Sequence, residues 1–274
     1  MIKDRVFSGA KLGFIGVGNM GGALVRAARK NTPSTAICVA NRSPEKAKAL
    51  ADEIPCRVKS NAEIAAWADY IVLGVKPQMM GALLAEIGPE LSARKDRFVL
   101  VSMAAGLSIA DIQEMAGGSY PVIRIMPNTP CSIGEGMALY TSGPGVTGDE
   151  ERIFLEAMAG AGRFSPIPEA LMDAGSAVAG CGPAFVDLFV EALADGGVAC
   201  GLPRAQALEF AAQMVLGAAR LILESGKHPG ELKDAVCSPG GSTIQGVRRL
   251  EEAGFRGAVM GAVIAACEKN GNLK

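Results

Sequence analysis

The feature that most constrains this chain is a glycine pattern set between a strand and a helix. Leu12-Gly13-Phe14-Ile15 reads as a short apolar strand, and a helix is expected over 21–30. Between them stands Gly16-Val17-Gly18-Asn19-Met20-Gly21, with the spacing G-x-G-x-x-G. In such a unit each glycine has its own task. Gly16 makes the tight turn, Gly18 leaves bare backbone for a pyrophosphate, and Gly21 lets the helix lie close to the strand. Unclaimed N–H groups and the dipole at the helix start attract phosphates. The pattern therefore predicts a dinucleotide site, with a plain structural turn as the alternative.

The rest of the first half repeats the strand–helix rhythm. Strands are expected over 36–40, 70–75, 98–101 and 122–126, and a helix over 44–53. Asn61 reads as the N-cap of a further helix reaching 68. Residues 137–140 add an edge strand. This alternation predicts a doubly wound, mostly parallel sheet. Near 162–168 the pattern changes, and helices are expected over 183–199, 204–224, 243–253 and 257–269. A chain of 274 residues suits two domains. We place a Rossmann-type, dinucleotide-binding α/β domain at 1–165 and an all-α domain at 166–274. The stretch from Ala211 to Ala219 is apolar nearly all round. A helix of that kind is buried on several sides, which in so small a domain implies a partner subunit.

Composition excludes several classes. With 27 basic and 28 acidic residues, no face is built for nucleic acid and no polybasic run suggests a membrane surface. No apolar run looks long enough to span a bilayer, and the start Met1-Ile2-Lys3-Asp4-Arg5 does not resemble a signal peptide. The seven cysteines are scattered, without a C-x-x-C pair, and read as reduced cytoplasmic thiols. A single histidine, His228, makes a metal cluster or a serine–histidine triad implausible; ahead of Pro229-Gly230 it reads as part of a turn.

Charge at the end of the second strand decides which dinucleotide is expected. NAD sites place an acid there to bond the ribose 2′-hydroxyl. This chain has Asn41-Arg42-Ser43, and no acid before Glu45. Arg42 can fork onto a 2′-phosphate, with hydrogen bonds from Asn41 and Ser43. NADP(H) is the expected cofactor, with NAD(H) at lower preference; a solvated surface role is the alternative for Arg42. Two more strand ends face the expected ligand crevice, Gly74-Val75-Lys76-Pro77 and Ser102-Met103-Ala104-Ala105-Gly106. Lys76 suits either a catalytic role or a surface cap.

A second glycine turn lies in the helical half. Cys237-Ser238-Pro239-Gly240-Gly241-Ser242-Thr243 leads directly into a helix, with Ser242 or Thr243 as the expected cap. Such a turn offers a ring of N–H groups that binds a carboxylate without an arginine. A merely capped helix start is the alternative.

These blocks together resemble one family. The stretch from Leu232-Lys233-Asp234 through Ser238 to Ile244 is similar to the signature of pyrroline-5-carboxylate reductases. So are Gly182-Pro183-Ala184-Phe185, Glu191 to Val198, Gly201-Leu202-Pro203-Arg204, Met126-Pro127-Asn128-Thr129-Pro130, Val75-Lys76-Pro77 and Phe14 to Met20. The resemblance implies hydride transfer from NAD(P)H to the imine carbon of 1-pyrroline-5-carboxylate, giving L-proline in the last step of proline biosynthesis. It implies that Ser238, Gly240, Gly241, Ser242 and Thr243 hold the substrate. The Thr243 hydroxyl would lie near the ring nitrogen as the catalytic group, and Glu169 would line the site. On the cofactor side it implies Ile15, Gly16, Val17, Gly18, Asn19, Met20 and Gly21, then Asn41, Arg42, Ser43 and Asn61. Gly74, Val75, Lys76, Pro77, Met103, Ala104 and Ala105 complete that set. It also implies a homodimer, with rings of dimers as a further possibility, and no metal. A protonated imine already accepts hydride well, so orientation and a dry site suffice. This chain departs from the pattern at Cys181, Ala235 and Cys237. Related β-hydroxyacid dehydrogenases use a lysine on the helix that opens the second domain; here that helix begins Gly182-Pro183-Ala184-Phe185 and no lysine stands between Gly182 and Arg204. An imine reductase of other specificity and a non-catalytic NADP(H) sensor remain the other readings.

Overall fold

The computed structural model describes residues 9–272; the expected Met1-Ile2-Lys3-Asp4-Arg5 start lies outside the described residues. The first elements in chain order are β1 (Leu12–Ile15), α1 (Asn19–Arg29), β2 (Ile37–Ala40), α2 (Pro44–Glu53), β3 (Arg57–Val58), α3 (Asn61–Trp67) and β4 (Tyr70–Leu73). Then come α4 (Pro77–Ala93), β5 (Val99–Ser102), α5 (Ile109–Ala116), β6 (Val122–Met126), β7 (Gly136–Ser142), α6 (Gly148–Met158) and β8 (Gly162–Pro166). The helices α7 (Met172–Ala179), α8 (Gly182–Ala199), α9 (Arg204–Ser225), α10 (Pro229–Ala235), α11 (Ser242–Glu252) and α12 (Phe255–Gly271) complete the order.

The described strands form one eight-stranded sheet in the order β3-β2-β1-β4-β5-β6-β7-β8. Only the β6–β7 pairing is antiparallel. Side chains alternate between faces along each strand, and both faces are covered. Leu12, Phe14, Val39 and Val72 pack with Leu24 and Val25 of α1 and Phe154 of α6. Ile15, Cys38, Ile71 and Leu73 pack on the other side with Ile64 of α3, Met80 and Leu84 of α4, and Ile112 of α5. Each buried aliphatic or aromatic side chain contributes roughly 1.5–3 kcal/mol relative to exposure. Burial also pushes the Cys38 thiol up to about 11, as suits an inert core cysteine. The cysteines are all free.

Local chemistry starts several of these helices. Ser60 with Glu63, Ser108 with Asp111, and Thr147 with Glu150 form capping boxes at α3, α5 and α6. The cap of α3 is thus Ser60, one residue before the expected Asn61, because Ser60 has an acid three residues on with which to close the box. Accepting from the Ser60 backbone N–H, with Lys59 beside it, holds the Glu63 carboxyl down to about 2.

The structure alters three further expectations. The strand expected over 137–140 is not an edge strand: β7 is longer and lies between β6 and β8. The stretch 162–168, where the pattern changes, holds β8 itself, whose half-exposed residues give no apolar run to detect. Among the described residues two helical stretches, Glu169–Ala199 and Arg204–Ser225, are long and apolar enough to cross a membrane by length and composition alone. The expectation that no run reaches that length is therefore corrected.

The described residues divide into two compact units. One runs through Cys181 and includes the stretch from Ala266 onward; the other is Gly182–Ala265. The sheet unit thus extends past the expected boundary at 165. The cause is α7, whose Gly175 lies so close to Leu139 of β7 that a Cβ would stand 2.5 Å from its Cδ1. In the helical unit, Gly197 of α8 lies against Ala207 of α9, and the Phe189 and Phe255 rings pack with centroids 5.8 Å apart.

Candidate active site

β1 and β4 are neighbours in the sheet although β2 and β3 separate them in sequence. The winding reverses between them, and in open α/β sheets ligands bind outside the carboxyl ends of the strands at such a point. Gly16 ends β1 there and Gly74 ends β4. The Gly16 N–H donates to Ala40 O at 2.9 Å and the Gly74 N–H to Ile15 O at 2.7 Å.

The three glycines of the first turn divide their work as the spacing predicts. Gly16 has φ +95°, and a Cβ there would lie 2.6 Å from Gly74 backbone. A Cβ on Gly21 would stand 2.1 Å from the Gly16 carbonyl oxygen. Around Gly18 there is nothing within 4 Å of such a Cβ. Two glycines are thus pressed into backbone, and the third faces open space. Gly18 is also the N-cap of α1, with no side-chain cap and no acid in the first turn. The N–H groups at this helix start remain available, unlike those of the boxed helices.

The other cofactor-side residues fall on the same sheet edge. Asn41 follows β2, and its Oδ1 accepts from the Val17 N–H at 3.1 Å while its Nδ2 donates to Ser43 O at 3.2 Å. Asn41 therefore braces the glycine turn. Arg42 is exposed, and its guanidinium has no partner among the described residues. Lys76 is likewise exposed at the N-cap of α4, with Pro77 opening the helix. The Met103 side chain lies over Gly74, and Ala104 and Ala105 follow it past β5. Asn61 is less free: its Nδ2 donates to both Glu86 oxygens at 3.0 and 3.1 Å.

The second glycine turn lies in the helical unit. The Gly241 N–H donates to Ser238 O at 3.0 Å, Pro239 follows Ser238, and Gly240 has φ +69°. That is a type II turn with proline and glycine where its geometry asks for them. It delivers the chain to α11 with Gly241 as N-cap and no side-chain cap. The expected cap by Ser242 or Thr243 is not formed, because both residues already lie within the helix. The Thr243 hydroxyl is exposed and without a partner among the described residues. His228 caps α10, its Nδ1 accepting from the Gly230 N–H at 3.1 Å. Glu169 belongs to the sheet unit, where its Oε1 accepts from the Ile109 N–H at 2.8 Å and from Arg124 Nη1 at 3.2 Å. Arg124 went unnoticed in the sequence, although an arginine inside Val122-Ile123-Arg124-Ile125-Met126 is the one charge in an apolar strand.

A doubly wound sheet with a bare glycine turn at its switch point defines a dinucleotide-binding protein of the oxidoreductase class. Comparison agrees and is more specific. Residues 11–106 match the family described as coenzyme F420-dependent NADP oxidoreductase, and residues 169–273 match that described as pyrroline-5-carboxylate reductase dimerisation. The pyrroline-5-carboxylate reductase of Escherichia coli K12 is 43% identical over 267 residues, covering 96% of this chain and 98% of its own. That of Pisum sativum is 40% identical over 264 residues, covering 96% and 95%. The Plasmodium falciparum pyrroline carboxylate reductase, solved with NADP bound, superposes with a TM-score of 0.85 at 35% identity, covering 96% of this chain and 97% of that one. The Coxiella burnetii enzyme superposes at 0.89 with 30% identity, covering 97% and 99%. The chain belongs to the pyrroline-5-carboxylate reductase family.

Proposed function

We propose that this chain reduces 1-pyrroline-5-carboxylate to L-proline with NADPH, as the last step of proline biosynthesis. The observation that carries the reading is the Ser238–Thr243 turn. It is a second uncapped glycine turn at a helix start, in a chain matching reductases of that name over 96% of its length. The backbone N–H groups of Gly240, Ser242 and Thr243 take the substrate carboxylate, with Gly241 closing the turn and Ser238 beside them. The Thr243 hydroxyl hydrogen-bonds the ring nitrogen, and as that nitrogen gains a proton the hydroxyl passes it on from solvent water. Glu169, on the family resemblance, is a further substrate residue.

The residues at the sheet edge fit a dinucleotide: open space over Gly18 and the uncapped start of α1 suit a pyrophosphate. When bound, the reduced nicotinamide supplies the hydride. Ile15 to Gly21 cradle the phosphates, and Gly74 to Pro77 with Met103 to Ala105 flank the ring. Asn41 and Ser43 border the ribose, and the unpartnered Arg42 guanidinium forks onto the 2′-phosphate. Asn61 completes that side. NADH serves at lower preference.

The working form we propose is a cytoplasmic homodimer, assembled further into rings of dimers, and not a membrane protein. The apolar stretches of α8 and α9 then meet a second copy rather than lipid.

Purified chain assayed on 1-pyrroline-5-carboxylate with NADPH and NADH in parallel tests all of this. Proline formation with NADPH well ahead of NADH is expected. Arg42→Ala should narrow that gap about tenfold, and Thr243→Ala should lower kcat by about 10²-fold with NADPH affinity unchanged. Equal rates with both cofactors would remove Arg42 from its role. Unchanged turnover in Thr243→Ala would mean the substrate sits elsewhere.

A further inference from the structure

We propose that Arg124 is a positioning residue for imino-acid binding, holding the Glu169 carboxylate so that one of its oxygens stays free for substrate. The proposal rests on the reading above, in which Glu169 is a substrate residue. Arg124 lies on β6 between Ser102 of β5 and Thr141 of β7, and only 5% of it is exposed. A guanidinium at such depth requires carboxylate partners. Nη1 donates to Glu169 Oε1, Nη2 stands 3.9 Å from Asp173 Oδ1, and Nε has no partner.

The arrangement is one-sided. Glu169 Oε1 takes two donors that arrive from different elements: the guanidinium from the sheet, and the Ile109 N–H at 2.8 Å from the start of α5. Glu169 Oε2 has no partner among the described residues. The carboxylate is therefore fixed through one oxygen, with the other left open, and 32% of the side chain reaches solvent.

Stability alone explains this poorly. A buried ion pair is often no more stabilising than a well-packed apolar side chain of similar volume. Arg124 moreover leaves Nε unsatisfied in doing so. A buried charge that aims a half-buried carboxylate accounts for both facts.

The test is a double-substitution cycle on the full chain, with initial rates at saturating NADPH. Arg124→Lys and Glu169→Gln should each raise KM for the imino acid about tenfold, with kcat and NADPH affinity little changed. The double variant should be no worse than Glu169→Gln, because Arg124 acts only through Glu169. Additive effects overturn the proposal, as does a lowered Tm with KM unmoved. Should Arg124→Lys fail to fold, Glu169→Asp keeps the charge but withdraws it from Arg124 and Ile109. KM then rises if position matters, and an unmoved KM overturns the proposal. A wild-type chain that neither turns over the imino acid nor binds proline sinks the functional reading and this proposal together. A working wild type with additive variants sinks this proposal alone.

Discussion

Phe14, Leu24 and Ile87 of the sheet unit are fully buried, while Leu188, Leu216 and Leu223 of α8 and α9 stand 68%, 55% and 71% exposed. The side chains are of like chemistry, so the difference lies in what surrounds them. In the sheet unit two layers of helices close over both faces of the strands, and each apolar group finds its partners within one chain. In the helical unit α9 buries only Ala207 and Ala211. Scattered exposed apolar residues are ordinary, but contiguous faces of this kind mark an interface. The stretches Glu169–Ala199 and Arg204–Ser225, which contain α8 and α9, are also long and apolar enough to cross a membrane, which shows how closely an unpaired subunit surface imitates a lipid-facing one. One unit carries a complete core; the other carries half of one.

Four variants sharpen or break that contrast. The largest effect is expected at Gly21→Ala, where the new Cβ meets the Gly16 carbonyl oxygen at 2.1 Å and neither backbone can yield. We expect a loss of about 3 kcal/mol or more from the sheet unit. Gly18→Ala, two residues from Gly16 and facing open space, should leave Tm unchanged and weaken NADPH binding about tenfold, or about 1.4 kcal/mol. Thermal melts and NADPH fluorescence titrations separate the two. Like behaviour would mean the glycines do not divide their tasks.

Next comes Leu216→Glu with Leu223→Glu. On a free surface such changes stay within about 0.5 kcal/mol. Here they should convert the assembly to monomers in sedimentation velocity while NADPH affinity holds. An unaltered sedimentation coefficient would remove this face from the dimer contact.

The smallest effect concerns Glu150, whose carboxyl the Arg97 guanidinium and the Thr147 cap hold down to about 2. Because its pKa is lowered on folding, its contribution is fully present above the unfolded value near 4.3, and it fades as pH falls toward 2. Solvent screening limits the contribution to about 0.5–1 kcal/mol. Glu150→Gln should therefore lower Tm slightly at pH 7, and the gap should shrink as pH falls through 2. A gap that persists in acid would assign the effect to lost packing.

Much of the cofactor side was legible because its residues follow one another along the chain. Gly16, Gly18 and Gly21 sit at spacings that local geometry alone dictates, and Asn41-Arg42-Ser43 follows a recognisable strand. The turn at Ser238–Thr243 was legible for the same reason, although which residue caps α11 was not. A serine or threonine near a helix start suggests a cap, but the type II turn carries the chain past it, and Gly241 takes the position. Asn61 was displaced by Ser60 because a capping box outweighs a single polar residue. β8 left no trace in the pattern, since an edge strand with half-exposed residues alternates too weakly. Arg124 carried a visible signal, a charge in the middle of a buried strand, but its partners Glu169 and Asp173 lie more than 40 residues away.

By itself the sequence determined what depends on near neighbours: strand and helix periods, the glycine turns, the absence of an acid after β2, and an apolar helix too rich for a lone chain. Tertiary structure decided what depends on distant ones. It set Gly74 against Gly16, bound Asn41 to Val17, joined Arg124 to Glu169, and placed β7 inside the sheet. The physical reason is that steric and capping preferences act over a few residues. Pairing of strands and of buried charges instead requires segments far apart in the chain to meet, and no local spacing records which will do so.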